Sequence, residues 1–228
     1  MIKKAHDAYN TKDFKTAMEI YTQLANEGNA DAMTSLGYMY QNEQGCQKDD
    51  AKALELYERA AELKQPYALF NLAILYMNGL GGVEHNLFKA HELFMEAAIR
   101  EVPQAMYETA LMLERGLGCL QNFSESAFWY EEGAKRGHLQ SFNNLGVLYK
   151  EGHGVEKNDA RTFICFKRAA QGGLAEGLYN LGLLYDQGIG CEQDHDKALD
   201  LCRKAAYNGH AKAKEIIKGL QDEGKIVF

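Results

Sequence analysis

Asn144-Leu145-Gly146-Val147-Leu148-Tyr149 decides the fold, because the chain writes it several times. It returns as Asn180-Leu181-Gly182-Leu183-Leu184-Tyr185, and stands earlier as Ser35-Leu36-Gly37-Tyr38-Met39-Tyr40 and Asn71-Leu72-Ala73-Ile74-Leu75-Tyr76. The small residue at its centre is Gly37, Ala73, Ala110, Gly146 and Gly182, at steps of 36, 37, 36 and 36. A second series, Ala25, Ala61, Ala98, Ala134, Ala170 and Ala206, keeps the same steps. Self-similarity of this period marks a stacked array whose units pack on their neighbours, so function is to be sought on an extended surface.

Each unit reads as two helices. In the first, Leu36 and Tyr40 and their equivalents stand at i and i+4, a helical spacing, with a small residue where a neighbouring helix can approach. Its end is marked by Gly79, Gly116, Gly152 and Gly188, and a further glycine follows two residues on at Gly45, Gly81, Gly118, Gly154 and Gly190, as positive φ after a helix requires. After a short loop, typified by Val155 to Asp159, the second helix is expected over Ala53–Ala61, Ala90–Ala98, Ser126–Ala134, Thr162–Ala170 and Ala198–Ala206. Glycine again closes it at Gly28, Gly137, Gly173 and Gly209, and both prolines, Pro66 and Pro103, open a first helix where a missing N–H costs nothing.

This pattern resembles the Sel1-like repeat, a relative of the tetratricopeptide repeat. The family's features are visible as Ala32, Leu36-Gly37, Gly152-His153-Gly154-Val155, Asp194, Lys197-Ala198, Tyr130 and Ala169-Ala170. The departures are Glu43 for the first loop glycine of the second repeat, Thr109 for the usual Leu in the fourth, and Cys202 for the aromatic in the sixth. The resemblance implies an all-α fold, an α/α solenoid coiled as a right-handed superhelix. We expect one continuous domain: a tetratricopeptide-like unit over residues 1–29, repeats over 30–65, 66–102, 103–138, 139–174 and 175–210, and a closing helix over 211–228 with the apolar tail Ile226-Val227-Phe228.

The net charge of −7 and the lack of a Lys/Arg cluster argue against nucleic acid, which is bound mainly through its phosphates. No stretch approaches the roughly 20 apolar residues of a membrane span, and Ala5-His6-Asp7 follows Lys3 and Lys4 where a signal peptide needs an apolar run. The expected compartment is the cytoplasm, or a secreted or periplasmic one if a leader has been removed. Five cysteines without a C-x-x-C pair suit a reducing setting. Cys46, Cys119 and Cys191 share one loop register two repeats apart, too far for a disulfide.

Catalytic patterns are missing. None of Ser35, Ser124, Ser126 and Ser141 has lysine three positions later, and neither K-T-G nor G-x-S-x-G occurs. The seven histidines form no H-E-x-x-H, so neither a metal nor another cofactor is expected. His138 and His210 each follow a helix-ending glycine, a placement that reads as charge near a helix C-terminus.

Binding remains. The resemblance to tetratricopeptide-like arrays implies that the first helices line a concave groove, and it assigns partner-binding positions to Thr34, Tyr38, Tyr67, Phe70, Ile74, Met77 and Asn78. Further along it assigns Tyr107, Leu111, Glu114, Arg115, Asn143, Lys150, Tyr179, Leu183 and Asp186. Aromatic anchors beside charges suit a bound peptide or helix. For Ile74, Leu111, Val147 and Leu183, helix-to-helix packing is the competing reading, and it stands level with binding for Tyr38, Phe70, Tyr107 and Tyr179. The expected function is that of a non-catalytic adaptor, a monomer that holds a protein or peptide and neither binds nucleic acid nor inserts in a membrane. Two alternatives stay open: a small-molecule or cell-wall-fragment binder with weak β-lactamase-like activity, suggested by the cysteine-rich branch of the family, and a self-associating scaffold using Phe128 and Trp129.

Overall fold

The computed structural model describes residues 1–223, so the Ile226-Val227-Phe228 tail lies outside the described residues. Among the described residues there are thirteen α-helices and no strand. They form two compact units, Met1–Gln121 and a second that begins at Asn122. In the first unit α1 (Ile2–Asn10), α2 (Phe14–Asn26), α3 (Ala30–Gln41), α4 (Asp50–Glu62), α5 (Pro66–Asn78), α6 (Leu87–Ile99) and α7 (Pro103–Arg115) pack each on the next. In the second unit the same holds for α8 (Phe123–Lys135), α9 (Leu139–Glu151), α10 (Asp159–Gln171), α11 (Ala175–Gln187), α12 (His195–Tyr207) and α13 (Ala211–Asp222).

The second helices α4, α6, α8, α10 and α12 start three residues before the apolar pattern predicts. The reason is a polar cap. Asp49, Asn86, Asn122, Asn158 and Asp194 each turn a side-chain oxygen onto the backbone N–H three residues on, satisfying a donor that the helix cannot. A cap of this kind stabilises by about 1 kcal/mol.

The second helices α2, α4, α6, α8 and α10 each insert one large ring. Tyr21, Tyr57 and Phe94 in the first unit, and Tyr130 and Phe166 in the second, are all buried. Burying such a side chain contributes about 1.5–3 kcal/mol. The floor under the ring is small: the motif has Ala73 and Ala110 in the repeats of Phe94 and Tyr130, and under Tyr57 it has Gly37, where an added Cβ would stand 2.8 Å from Tyr57 Cε1. The small residue of the sequence motif is therefore a seat for the aromatic of the same repeat.

The second loop glycine joins one repeat to the preceding one. Gly118 and Gly154 have φ of 68° and 70°, and a Cβ on either would overlap the backbone of Leu87 or Phe123, the first residues of α6 and α8. Left-handed backbone also occurs without glycine. Glu43, in the register of Gly79, has φ of 56°, while Lys64 and Glu101, in the register of Gly28 and Gly137, have 60° and 66°.

Candidate functional site

In the first unit the exposed faces of α3 and α5 open onto a recess of about 600 Å³, with α1, α2 and α7 also reaching its walls. The helical spacing sets its lining. Thr34 and Tyr38 stand one turn apart on α3, and Tyr67 and Phe70 one turn apart on α5. Tyr38 and Tyr67 are 43% and 52% exposed, a considerable aromatic surface for one wall. Phe70 is half-buried and held in place by a tilted contact with Phe94, ring centroids 5.6 Å apart.

The rim is polar and already ordered. Gln65 donates to Asp31 (3.2 Å), and the Tyr9 hydroxyl donates to Gln44 (2.8 Å). Asp31 puts a carboxylate at the edge of an aromatic floor, an arrangement suited to an apolar anchor flanked by a hydrogen-bond donor or cation.

Tyr9 and Tyr21 also line this recess, although the sequence reading assigns no partner-binding position to the N-terminal unit. The available signal is that Tyr9 and Phe14 flank the first turn and pack together, centroids 5.6 Å apart, which turns α1 toward the same side as α3 and α5.

The other predicted positions are spread out. Ile74 and Met77 are half-buried further along α5, and Asn78 donates back to the Ile74 carbonyl at the helix end (2.9 Å). On α7, Tyr107, Leu111 and Glu114 are half-buried and Arg115 is exposed. Burial pushes the neighbouring Glu108 carboxyl above its ordinary range, with the Arg115 guanidinium pulling the other way. None of these seven residues lines the recess.

Three predicted positions are buried. The Thr34 hydroxyl touches the recess wall but donates to Ala30 (2.8 Å). In the second unit Asn143 accepts from Asn180 (2.9 Å), and Tyr179 stacks on His210 at 4.3 Å between centroids. Lys150 is exposed beside Glu151. Tyr179, Leu183 and Asp186 line a separate space between α11, α12 and α13, where Asp186 meets His195 Nδ1 at 2.7 Å.

His138 and His210 act on the helix that follows them, not the one before. Each ring offers Nδ1 as acceptor, to the N–H of Ser141 (3.3 Å) and of Ala213 (3.1 Å), and so caps the start of α9 or α13. An accepting Nδ1 requires the neutral ring, which replaces the reading of these residues as charges at a helix C-terminus. Burial holds the His138 pKa below its ordinary value.

Cys46, Cys165, Cys191 and Cys202 are free thiols. Cys46 and Cys191 occupy equivalent places, each thiol donating to a carbonyl of the preceding helix, Met39 at 3.6 Å and Leu184 at 3.7 Å. Among the described residues no three His, Cys, Asp or Glu side chains gather as metal ligands, and no helix is long and apolar enough to cross a membrane.

Paired helices with a seated ring, glycine-ended loops and an open aromatic wall define a helical-repeat protein of the α/α-solenoid class. More narrowly, the chain belongs to the Sel1 repeat family, whose pattern matches residues 30–64, 66–100, 103–138, 143–174 and 175–210. Solved relatives agree. A Sel1 repeat protein from Oxalobacter formigenes superposes with a TM-score of 0.90 at 26% identity, covering 96% of this chain and 87% of that one. The protective antigen c5321 of uropathogenic Escherichia coli, which displays the same fold, superposes with a TM-score of 0.84 at 25% identity. That alignment covers 98% of this chain and 52% of the antigen. Chitin synthase regulatory factor 3 of Schizosaccharomyces pombe is 30% identical over 76 residues, which are 33% of this chain and 8% of the yeast protein. The chain thus spans a small part of that relative's length.

Proposed function

We propose that the chain is a non-catalytic adaptor and that the recess over α3 and α5 receives a segment of a partner protein. Sel1 repeat proteins are generally interaction scaffolds, and that general role is what membership of the family supplies. The observation that carries the specific reading is the joint exposure of Tyr38 and Tyr67 on either side of the anchored Phe70. A tyrosine ring on a helix has only two side-chain torsions left to fix, so covering Tyr38 and Tyr67 costs little ordering.

The partner segment carries an apolar side chain for the floor at Phe70 and a donor or cation for Asp31. Ile74, Met77, Asn78, Tyr107, Leu111, Glu114 and Arg115 extend the surface for a longer segment. The free thiols suit a reducing compartment, in keeping with a cytoplasmic adaptor.

A photoreactive benzoylphenylalanine at position 67 tests the site in native lysate. The reading expects a discrete crosslinked adduct that is lost when the photoreactive residue is moved to position 88, an exposed position on α6. Equal adducts from both positions, or none from position 67, would refute it.

A further inference from the structure

We propose that the space between α11, α12 and α13 is a binding site for one phenyl ring. One ring is missing from the repeat series. The aromatic carried by each second helix is Tyr130 on α8 and Phe166 on α10, both buried, and Cys202 stands in that register on α12. The seat survives without its occupant. Under Gly146 the nearest atom to an added Cβ is Phe166 Cε1 at 2.7 Å, whereas under Gly182 the three nearest are the Ala198 carbonyl oxygen at 3.2 Å, Leu201 Cβ at 3.5 Å and Cys202 N at 3.8 Å, none of them from a ring.

A cavity of about 310 Å³ opens at this place, lined by Gly182, Leu183, Leu199, Cys202, Ile216 and Leu220 among others. A dry apolar cavity of about 150 Å³ is sufficient to hold benzene, so there is room for the ring and a short substituent. The register also sets the chemistry of the far end. The Tyr130 hydroxyl accepts from Asn144 (3.0 Å), and one repeat on, Asn180 stands in the same place beside Phe166. After one more repeat that position is Ile216, which offers no hydrogen bond, so an unsubstituted ring edge fits there better than a phenol.

The polar groups lie at the mouth, where Asp186 and His195 meet and both are well exposed. A substituent on the ring therefore leaves toward Asp186. The thiol does not provide chemistry of its own: burial pushes the Cys202 pKa up, so it lines the cavity as a small apolar group. This site lies in the second unit and is independent of the recess at Tyr38 and Tyr67.

The test is a methyl NMR titration of the full chain, read at the Ile216 and Leu220 methyls. Toluene and N-acetylphenylalaninamide are the probes, applied to wild type, Cys202→Phe and Ile216→Phe, the last read at Leu220 alone. Saturable shifts in wild type, with at least a tenfold loss of affinity when either variant fills the space, are expected. If toluene binds the more tightly the natural ligand is a free aromatic molecule, and if the amide does, it is a phenylalanine side chain of a partner. Shifts that do not saturate with either probe, or that persist in both filled variants, would overturn the proposal. Two filling variants on different helices guard against one that does not fold.

Discussion

Gly146 lies directly against the ring of Phe166: a methyl group at position 146 would stand 2.7 Å from Cε1 and 2.8 Å from Cδ1. The glycine of the Leu-Gly pair is thus fixed by packing, since α9 is helical there and needs no special backbone. Gly146→Ala is expected to lower stability by about 1–3 kcal/mol through overpacking, despite the gain of up to about 1 kcal/mol in helix propensity. Gly182→Ala, facing Cys202, is expected to change stability by less than about 0.5 kcal/mol. Urea midpoints of the two variants check the contrast, and equal losses would contradict the seat.

The loop glycines give a second contrast. Gly154 combines positive φ with a collision against Phe123, whereas Gly137 has φ of 84° and open space around it. Gly137→Ala should cost about 1 kcal/mol, the price of the left-handed backbone alone. Gly154→Ala should cost at least twice that, because α8 or the loop must also shift. Thermal unfolding of both variants decides it.

A pH effect follows from His138. Its folded pKa is depressed by burial below the ordinary value of 6.5, so the unfolded chain takes up the proton first. The stability contributed by the cap on Ser141 is therefore complete above pH 6.5 and is lost as pH falls from there through the folded value. The carboxylates whose pKa is held low, such as Asp49 and Asp194, act in a more acidic window below their ordinary value of 3.8. The urea midpoint should drop between pH 7.5 and 5.5 in wild type and much less in His138→Asn, which keeps a cap without a titrating ring.

Thr109 stands where the other repeats carry leucine, and its hydroxyl oxygen is buried without a hydrogen-bond partner. Thr109→Val keeps the shape and removes the unsatisfied group. It should raise stability by about 1 kcal/mol, seen as a higher unfolding midpoint.

Most of the fold was legible because the same physical demand recurs at the same step: Gly37 and Gly146 under a ring, Gly79 and Gly152 at positive φ, Pro66 and Pro103 at a helix start. The starts of the second helices were less so. Asp49, Asn86 and Asn158 read as polar loop residues until their side chains are seen accepting backbone N–H groups. The surface was legible only in part. Register identifies which helix carries a residue, but Phe70 and Tyr179 stand in the same register and differ in fate, because His210 stacks on the second ring while the first lines the recess. A missing ring such as that at Cys202 is visible in sequence as a departure, yet whether neighbours close the space depends on how α13 packs, and α13 lies beyond the five matched repeats.

The most direct test of the central claim is quantitative affinity capture from native lysate, comparing wild type with Tyr38→Ala/Tyr67→Ala and with the control pair Phe88→Ala/Phe128→Ala, whose rings are also exposed but lie on second helices. All three are first to be shown folded by circular dichroism. The adaptor reading predicts that at least one protein held by wild type and by the control pair falls at least tenfold in the Tyr38/Tyr67 variant; the same proteins captured equally by all three would contradict it.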